Sequence, residues 1–182
     1  MSVTDDRLLR LYQDLEPIPG LSVELINGQI IMMATPKALH NRNVDLVRDQ
    51  FSTDDYDRWS TMAVAPTGRN DRSDPDLFLT DTDVVEGNPG EIPSALVLFV
   101  LEVVSESSKR MDHHDKRELY ALGAIPVYLV VDPMTGVSTV YSRPDANTGR
   151  YLGRANHPFG ETVALPPPIG RTLRTDRFRR YT

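Results

Sequence analysis

A chain of 182 residues with 40% hydrophobic and 25% charged side chains can bury one sizeable core, and is read as a single domain over residues 1–182. It contains no cysteine, which removes disulfide frameworks, thiolate metal sites and thiol nucleophiles, so a metal would have to be held by carboxylate or histidine. A formal charge of −6 argues against a protein that coats nucleic acid nonspecifically, while leaving room for one local basic groove.

In chain order, residues 4–15 are predicted to form a one-faced helix, since Leu8, Leu11, Tyr12 and Leu15 fall at i, i+3, i+4 and i+7 and Thr4 can cap its start. Residues 1–20 are thus a peripheral helical segment. Leu21 to Ile26 and Gln29 to Ala34 flank Asn27-Gly28, a pair suited to two successive positive φ angles, which predicts a tight hairpin. A helix over 38–51 and a short strand over 61–66 come next, then a polar loop over 67–73 that feeds Asp74-Pro75-Asp76. A strand begins at Leu77, and residues 81–94, rich in Asp, Glu, Gly and Pro, read as a loop.

Residues 95–104 are almost continuously apolar, as expected of a strand covered on both faces at the centre of a sheet. This run is far short of the ~20 residues of a membrane span, and the first residues lack a basic-then-apolar leader, so a cytoplasmic protein without a membrane partner is expected. A helix over 109–122 stopped at Gly123, an apolar strand over 127–131, a turn at 132–136 and a strand over 137–142 follow. Two short strands around Tyr151 and Val163 and a basic tail over 171–182 complete an α/β (α+β) pattern, a mixed sheet with helices packed on it.

Chemistry concentrates on three places. Glu102 lies inside Val100-Leu101-Glu102-Val103-Val104, and a carboxylate within a buried strand costs several kcal/mol unless it is paired, metal-bound or protonated. Alternation sets Leu98, Val100, Glu102 and Val104 on one face, where nothing on the strand neutralises the charge. The alternative is a Glu that reaches solvent or pairs with an Arg. Asp76 enters the preceding strand, and if the two strands are neighbours the acids converge on an oxygen-ligand site for Mg²⁺ or Mn²⁺; the alternative is a plain turn. Asp112, Lys116 and Tyr120 share a helix face at i, i+4 and i+8, either as a surface ion pair or as a lysine poised beside a metal-bound phosphate. Lysine is scarce, with only Lys37, Lys109 and Lys116 among the 20 basic residues, which slightly favours a chemical role. The adjacent His113 and His114 point about 100° apart and do not suit zinc.

Taken together, Val23-Glu24-Leu25-Ile26-Asn27-Gly28, His40, Pro75-Asp76, Leu101-Glu102-Val103-Val104-Ser105, Asp112 with Lys116 and Tyr120, Gly123-Ala124-Ile125-Pro126-Val127-Tyr128 and Val131-Asp132-Pro133 resemble the Uma-type putative restriction endonucleases of the PD-(D/E)XK nuclease superfamily. The resemblance covers roughly residues 20–165. It implies a restriction-endonuclease-like core, Asp76 and Glu102 as metal-binding carboxylates for Mg²⁺ or Mn²⁺, and Lys116 as the catalytic lysine. In the wider superfamily that lysine lies two residues after the Glu, where this chain has Val104; the Uma-type pattern resembles one in which it has moved to the following helix. Glu24, His40 and Tyr120 match positions near the site. The expected activity is endonucleolytic hydrolysis of nucleic acid, DNA first, with a homodimer left open. The alternatives are a catalytically silent module that binds nucleic acid or a protein partner, favoured by the net charge, and a sugar- or nucleotide-phosphate hydrolase with the same metal chemistry.

Overall fold

The computed structural model describes residues 3–106 and 108–181. Helix α1 (Val3–Gln13) precedes the hairpin of β1 (Leu21–Ile26) and β2 (Gln29–Ala34), whose turn places Asn27 at φ 50° and Gly28 at φ 70°, as the Asn-Gly pair predicts. The Thr4 cap expected on α1 lies outside the described side chains. Helix α2 (Ala38–Arg48) follows, then β3 (Tyr56–Trp59), β4 (Ala63–Ala65), β5 (Leu77–Asp81), β6 (Glu91–Pro93) and β7 (Val97–Val103). A π-helical turn (Met111–Asp115) opens α3 (Lys116–Leu122), and β8 (Val127–Asp132), β9 (Val137–Asp145), β10 (Arg150–Pro158), β11 (Thr162–Ala164) and β12 (Thr172–Arg174) complete the chain.

The main sheet has the order β10-β9-β8-β7-β5-β3, with β7 and β8 parallel and the remaining neighbours antiparallel. The apolar run therefore does form the centre. This mixed sheet with its packed helices is the α/β architecture that the sequence pattern predicts. One side of β7 presents Phe99, Leu101 and Val103 to α2, β11 and β12, through Val44, Val47, Val163 and Leu173. The other side presents Val100 and Val104 to Tyr120, Tyr128 and Val130.

Several local expectations change. Leu98 packs on the α2 side rather than on the Glu102 side, because a register shift opposite Leu79 and Thr80 inserts one extra residue into β7 and breaks the alternation. Strands β3 and β6 were not anticipated; they are only four and three residues long and sit in stretches rich in Asp and Gly. β9 runs through Pro144 and pairs with a nine-residue β10 rather than with a short strand. The helix stops at Leu122, but the left-handed residue is Ala124 at φ 56°; at Gly123 space is tight, since a Cβ there would stand 3.1 Å from the Ser94 side chain. The basic C-terminal stretch is docked, with Leu173 and Phe178 buried in the apolar core.

Candidate active site

The two acids singled out by the sequence meet because β5 and β7 are antiparallel neighbours. The pairing of Leu77 with Leu101 brings Asp76, one residue before β5, opposite Glu102, and the Asp76 carboxylate accepts a hydrogen bond from the Val103 N–H at 2.7 Å. Helix α3 supplies the counter-charge. Lys116 Nζ lies 2.8 Å from Glu102 Oε1, 3.0 Å from Glu24 Oε1 and 3.9 Å from Asp112 Oδ1. One turn further on, the Tyr120 hydroxyl donates to the same Glu102 oxygen at 2.7 Å. The hairpin strand β1 contributes Glu24, which accepts the Asp74 N–H at 2.6 Å and the Ser73 hydroxyl at 3.2 Å; Ser73 is also 2.7 Å from the Tyr120 hydroxyl. His40, near the start of α2, places Nε2 3.2 Å from Asp76 Oδ2.

Burial decides between the sequence alternatives. Glu102 is 3% exposed and its partner is a lysine, so it neither reaches solvent nor pairs with an arginine. Asp112 and Lys116 are 1% and 2% exposed, so theirs is not a surface ion pair. Asp112 also accepts from Ser108, and the Tyr128 hydroxyl donates to its carbonyl at 2.7 Å, which anchors the π-helical turn against the sheet. Such single widened turns are frequent at functional sites.

The electrostatics follow from too many acids in too little solvent. Glu24, Asp74, Asp76, Glu102 and Asp112 crowd round Lys116, with His40 at the edge. Burial, reinforced by Asp76, Asp112 and Glu24, raises the Glu102 carboxyl well above its ordinary value despite Lys116. Burial likewise lifts Asp112 to about 6, and burial with the Glu24 charge lifts Asp74 to about 6. For Lys116, burial alone would favour the neutral amine, but Glu102, Glu24 and Asp112 outweigh it and hold the ammonium firmly charged. His40 behaves similarly: burial opposes its charge, and the hydrogen bond and charge of Asp76 raise its pKa.

The donor set suits a hard divalent cation. Glu24 Oε2, Asp74 Oδ1 and Asp112 Oδ1 are buried with no hydrogen-bond partner among the described residues, and an excess of desolvated carboxylate oxygens is what Mg²⁺ or Mn²⁺ relieves. Among the described residues no three His, Asp or Glu side chains are gathered at metal-binding geometry, and Lys116 engages Glu24 and Glu102. His113 turns to Asp132, 3.6 Å away.

Residues 9–176 match the family model described as "Uma2: Putative restriction endonuclease". The chain belongs to the Uma2 family. A solved structure described as a putative nuclease belonging to DUF820, from Anabaena variabilis ATCC 29413, aligns with a TM-score of 0.64 at 15% identity, over 87% of this chain and 88% of that one. At that identity the likeness shows the shared fold. No curated protein matches the chain.

In this Uma2-family chain the structure brings Glu24, His40, Asp76, Glu102, Lys116 and Tyr120 into one connected cluster. The sequence reading missed Ser73, Asp74 and Ser108. A signal existed for Asp74, which stands in the same Asp-Pro-Asp run as Asp76. The two serines carried none, because a hydroxyl in a polar loop looks like any turn residue until the carboxylate it serves is placed beside it.

Proposed function

We propose that the protein is a metal-dependent endonuclease that hydrolyses phosphodiester bonds of nucleic acid, with DNA as the first candidate. The observation that supports this most is the buried Glu102–Lys116 pair standing directly across the strand register from Asp76. Asp76 and Glu102 would hold Mg²⁺ or Mn²⁺. Such an ion supplies Lewis acidity toward a phosphoryl oxygen and lowers the pKa of water.

The chain's own groups have separable tasks. Asp76 is fixed by the Val103 N–H and by His40, which leaves its carboxylate oriented at the edge of the site rather than free to rotate. Glu24 and Asp112 would keep Lys116 charged and in place independently of Glu102. The ammonium would face the negative charge that develops on the phosphoryl oxygens, in a setting from which water is largely excluded. Tyr120, held by Ser73, orients Glu102. The sealed position of Lys116 is the feature that favours the silent-module reading.

The test is cleavage of single- and double-stranded DNA and RNA with Mg²⁺ or Mn²⁺ by wild type and by Asp76→Asn and Glu102→Gln. Cleavage by wild type with loss of ~100-fold or more in both variants is expected, the scale of removing one preorganised electrostatic group. No cleavage of any substrate by folded wild type would move the weight to the binding module.

A further inference from the structure

The C-terminal segment crosses the end of the sheet that carries the acids. Phe178 is buried in the apolar core, and the Arg179 backbone is gripped on both sides by the buried Asn43 side chain: its amide donates to the Arg179 carbonyl at 2.9 Å, and the Arg179 N–H donates to Asn43 Oδ1 at 2.8 Å. Asn43 lies three residues beyond His40 on α2. Further on, the Tyr181 N–H donates to the Pro133 carbonyl at 3.2 Å, and the Arg180 side chain donates to the Thr135 carbonyl. Residues 179–181 therefore bridge from the helix that bears His40 to the turn after β8. Because β7 and β8 are parallel, that turn lies at the same sheet end as Glu102.

The Tyr181 ring is half-buried, but its hydroxyl is fully enclosed and has no hydrogen-bond partner among the described residues. Burial, then the charges of Asp76 and Asp132, push its pKa up to about 12, so the hydroxyl keeps its proton and stays a donor. Native structures seldom enclose a donor without an acceptor unless a ligand or water takes it up. The hydroxyl feels both carboxylates without being spent on either. Arg179, two residues earlier on the same segment, is exposed, and its side chain makes no ion pair among the described residues. The family match ends at residue 176, before this segment.

We propose that residues 179–181 form a wall of the active site in which the Tyr181 hydroxyl donates to a phosphate oxygen of the bound strand, with Arg179 contacting a flanking phosphate. This rests on the nuclease reading above. A phosphate oxygen is the fitting acceptor because a cation held by Asp76 draws anionic groups to this edge. A neutral hydroxyl can meet such a group without competing for Asp76 or Asp132, and a donor to an ionised oxygen makes one of the stronger hydrogen bonds.

The experiment uses the full chain with Ca²⁺, a cation chosen to hold substrate without turnover, and reads fluorescence anisotropy of a labelled oligonucleotide together with thermal melting. Tyr181→Phe should weaken binding by about 10-fold or more, on the scale of one hydrogen bond to a charged group, while leaving the metal-free melting temperature equal or slightly higher and the Mn²⁺-induced shift intact. Arg179→Ala should lower affinity alike for all sequences and reduce the salt dependence by about one phosphate contact. Tyr181→Phe with wild-type affinity, or with a loss matched by a lowered metal-free melting temperature, overturns the proposal and leaves the nuclease reading standing. Wild type that binds no oligonucleotide with Ca²⁺ or Mn²⁺ overturns both.

Discussion

The two faces of β7 are equally dry and opposite in purpose. Phe99, Leu101 and Val103 meet only apolar partners from α2 and the C-terminal strands, whereas Val100 and Val104 flank a glutamate that answers to Lys116, Tyr120 and, across the register, Asp76. On the first face burial and stability point the same way. On the second, charge is desolvated beyond what one lysine offsets, as the upward shifts of Glu102, Asp112 and Asp74 show. Stability is invested on one side of a strand and spent on the other, the pattern expected where a fold holds a reactive site.

The largest effect should come from Lys116→Met. It leaves Glu24, Glu102 and Asp112 without their cation, and an uncompensated buried charge costs about 3 to 5 kcal/mol. Urea unfolding in chelator at pH 7.5 should show that loss, with part of it recovered at pH 5.5 as the carboxyls protonate. A loss below about 1 kcal/mol would mean that the acids are already neutral and the contrast between the faces is false. A surface ion pair, one of the two readings its spacing allows, would make this lysine cheap to remove; its burial makes removal costly.

On the apolar face, Leu101→Ala should cost about 3 kcal/mol through lost burial and a residual cavity. Its stability loss should be the same at pH 5.5 and 7.5, and the Mn²⁺-induced melting shift should be untouched, since it packs in the apolar cluster away from the acids. A changed Mn²⁺ shift would show that the two faces are mechanically coupled.

The pH dependence itself is the third test. Asp112 and Asp74 titrate at about 6 in the fold against an ordinary 3.8, so between these values the folded state binds protons that the unfolded chain does not. Stability in chelator should therefore rise, by about 1 to 3 kcal/mol, as pH falls from 7 toward 5. Glu102 and His40, both raised, act with the same sign. Saturating Mn²⁺ should flatten or invert the slope. A metal-free protein most stable at pH 8 would contradict the excess of buried charge.

What the sequence disclosed follows the range of the interactions. Asn27-Gly28 encodes its own turn, and Glu102 inside an apolar run advertises a buried charge whatever surrounds it. The meeting of Asp76 with Glu102 was legible because it needs only that consecutive long strands be neighbours. His40 on Asp76, Ser73 bridging Glu24 to Tyr120, and Tyr181 reaching the β8 end each depend on segments 36 to 49 positions apart, and no local pattern specifies such docking. The β7 irregularity at Leu98 was hidden for another reason: in a strand apolar on both faces, the sequence does not reveal which side a residue takes.

The smallest expected change in stability is the sharpest probe. Glu102→Gln removes the charge yet keeps a carbonyl oxygen where Lys116 and Tyr120 donate, and Lys116 retains Glu24 at 3.0 Å and Asp112 at 3.9 Å, so no cation is stranded. One of the repelling carboxylates is gone, which offsets the weaker ion pair. Unfolding in chelator should therefore differ from wild type by less than about 1 kcal/mol in either direction, unlike the loss from Lys116→Met on the same pair. The Mn²⁺-induced rise in melting temperature should vanish, because a ligand that binds only the native state stabilises it only while its site survives. A loss of several kcal/mol without metal would make Glu102 a structural partner of Lys116, and a full Mn²⁺ shift retained in the variant would place the cation elsewhere.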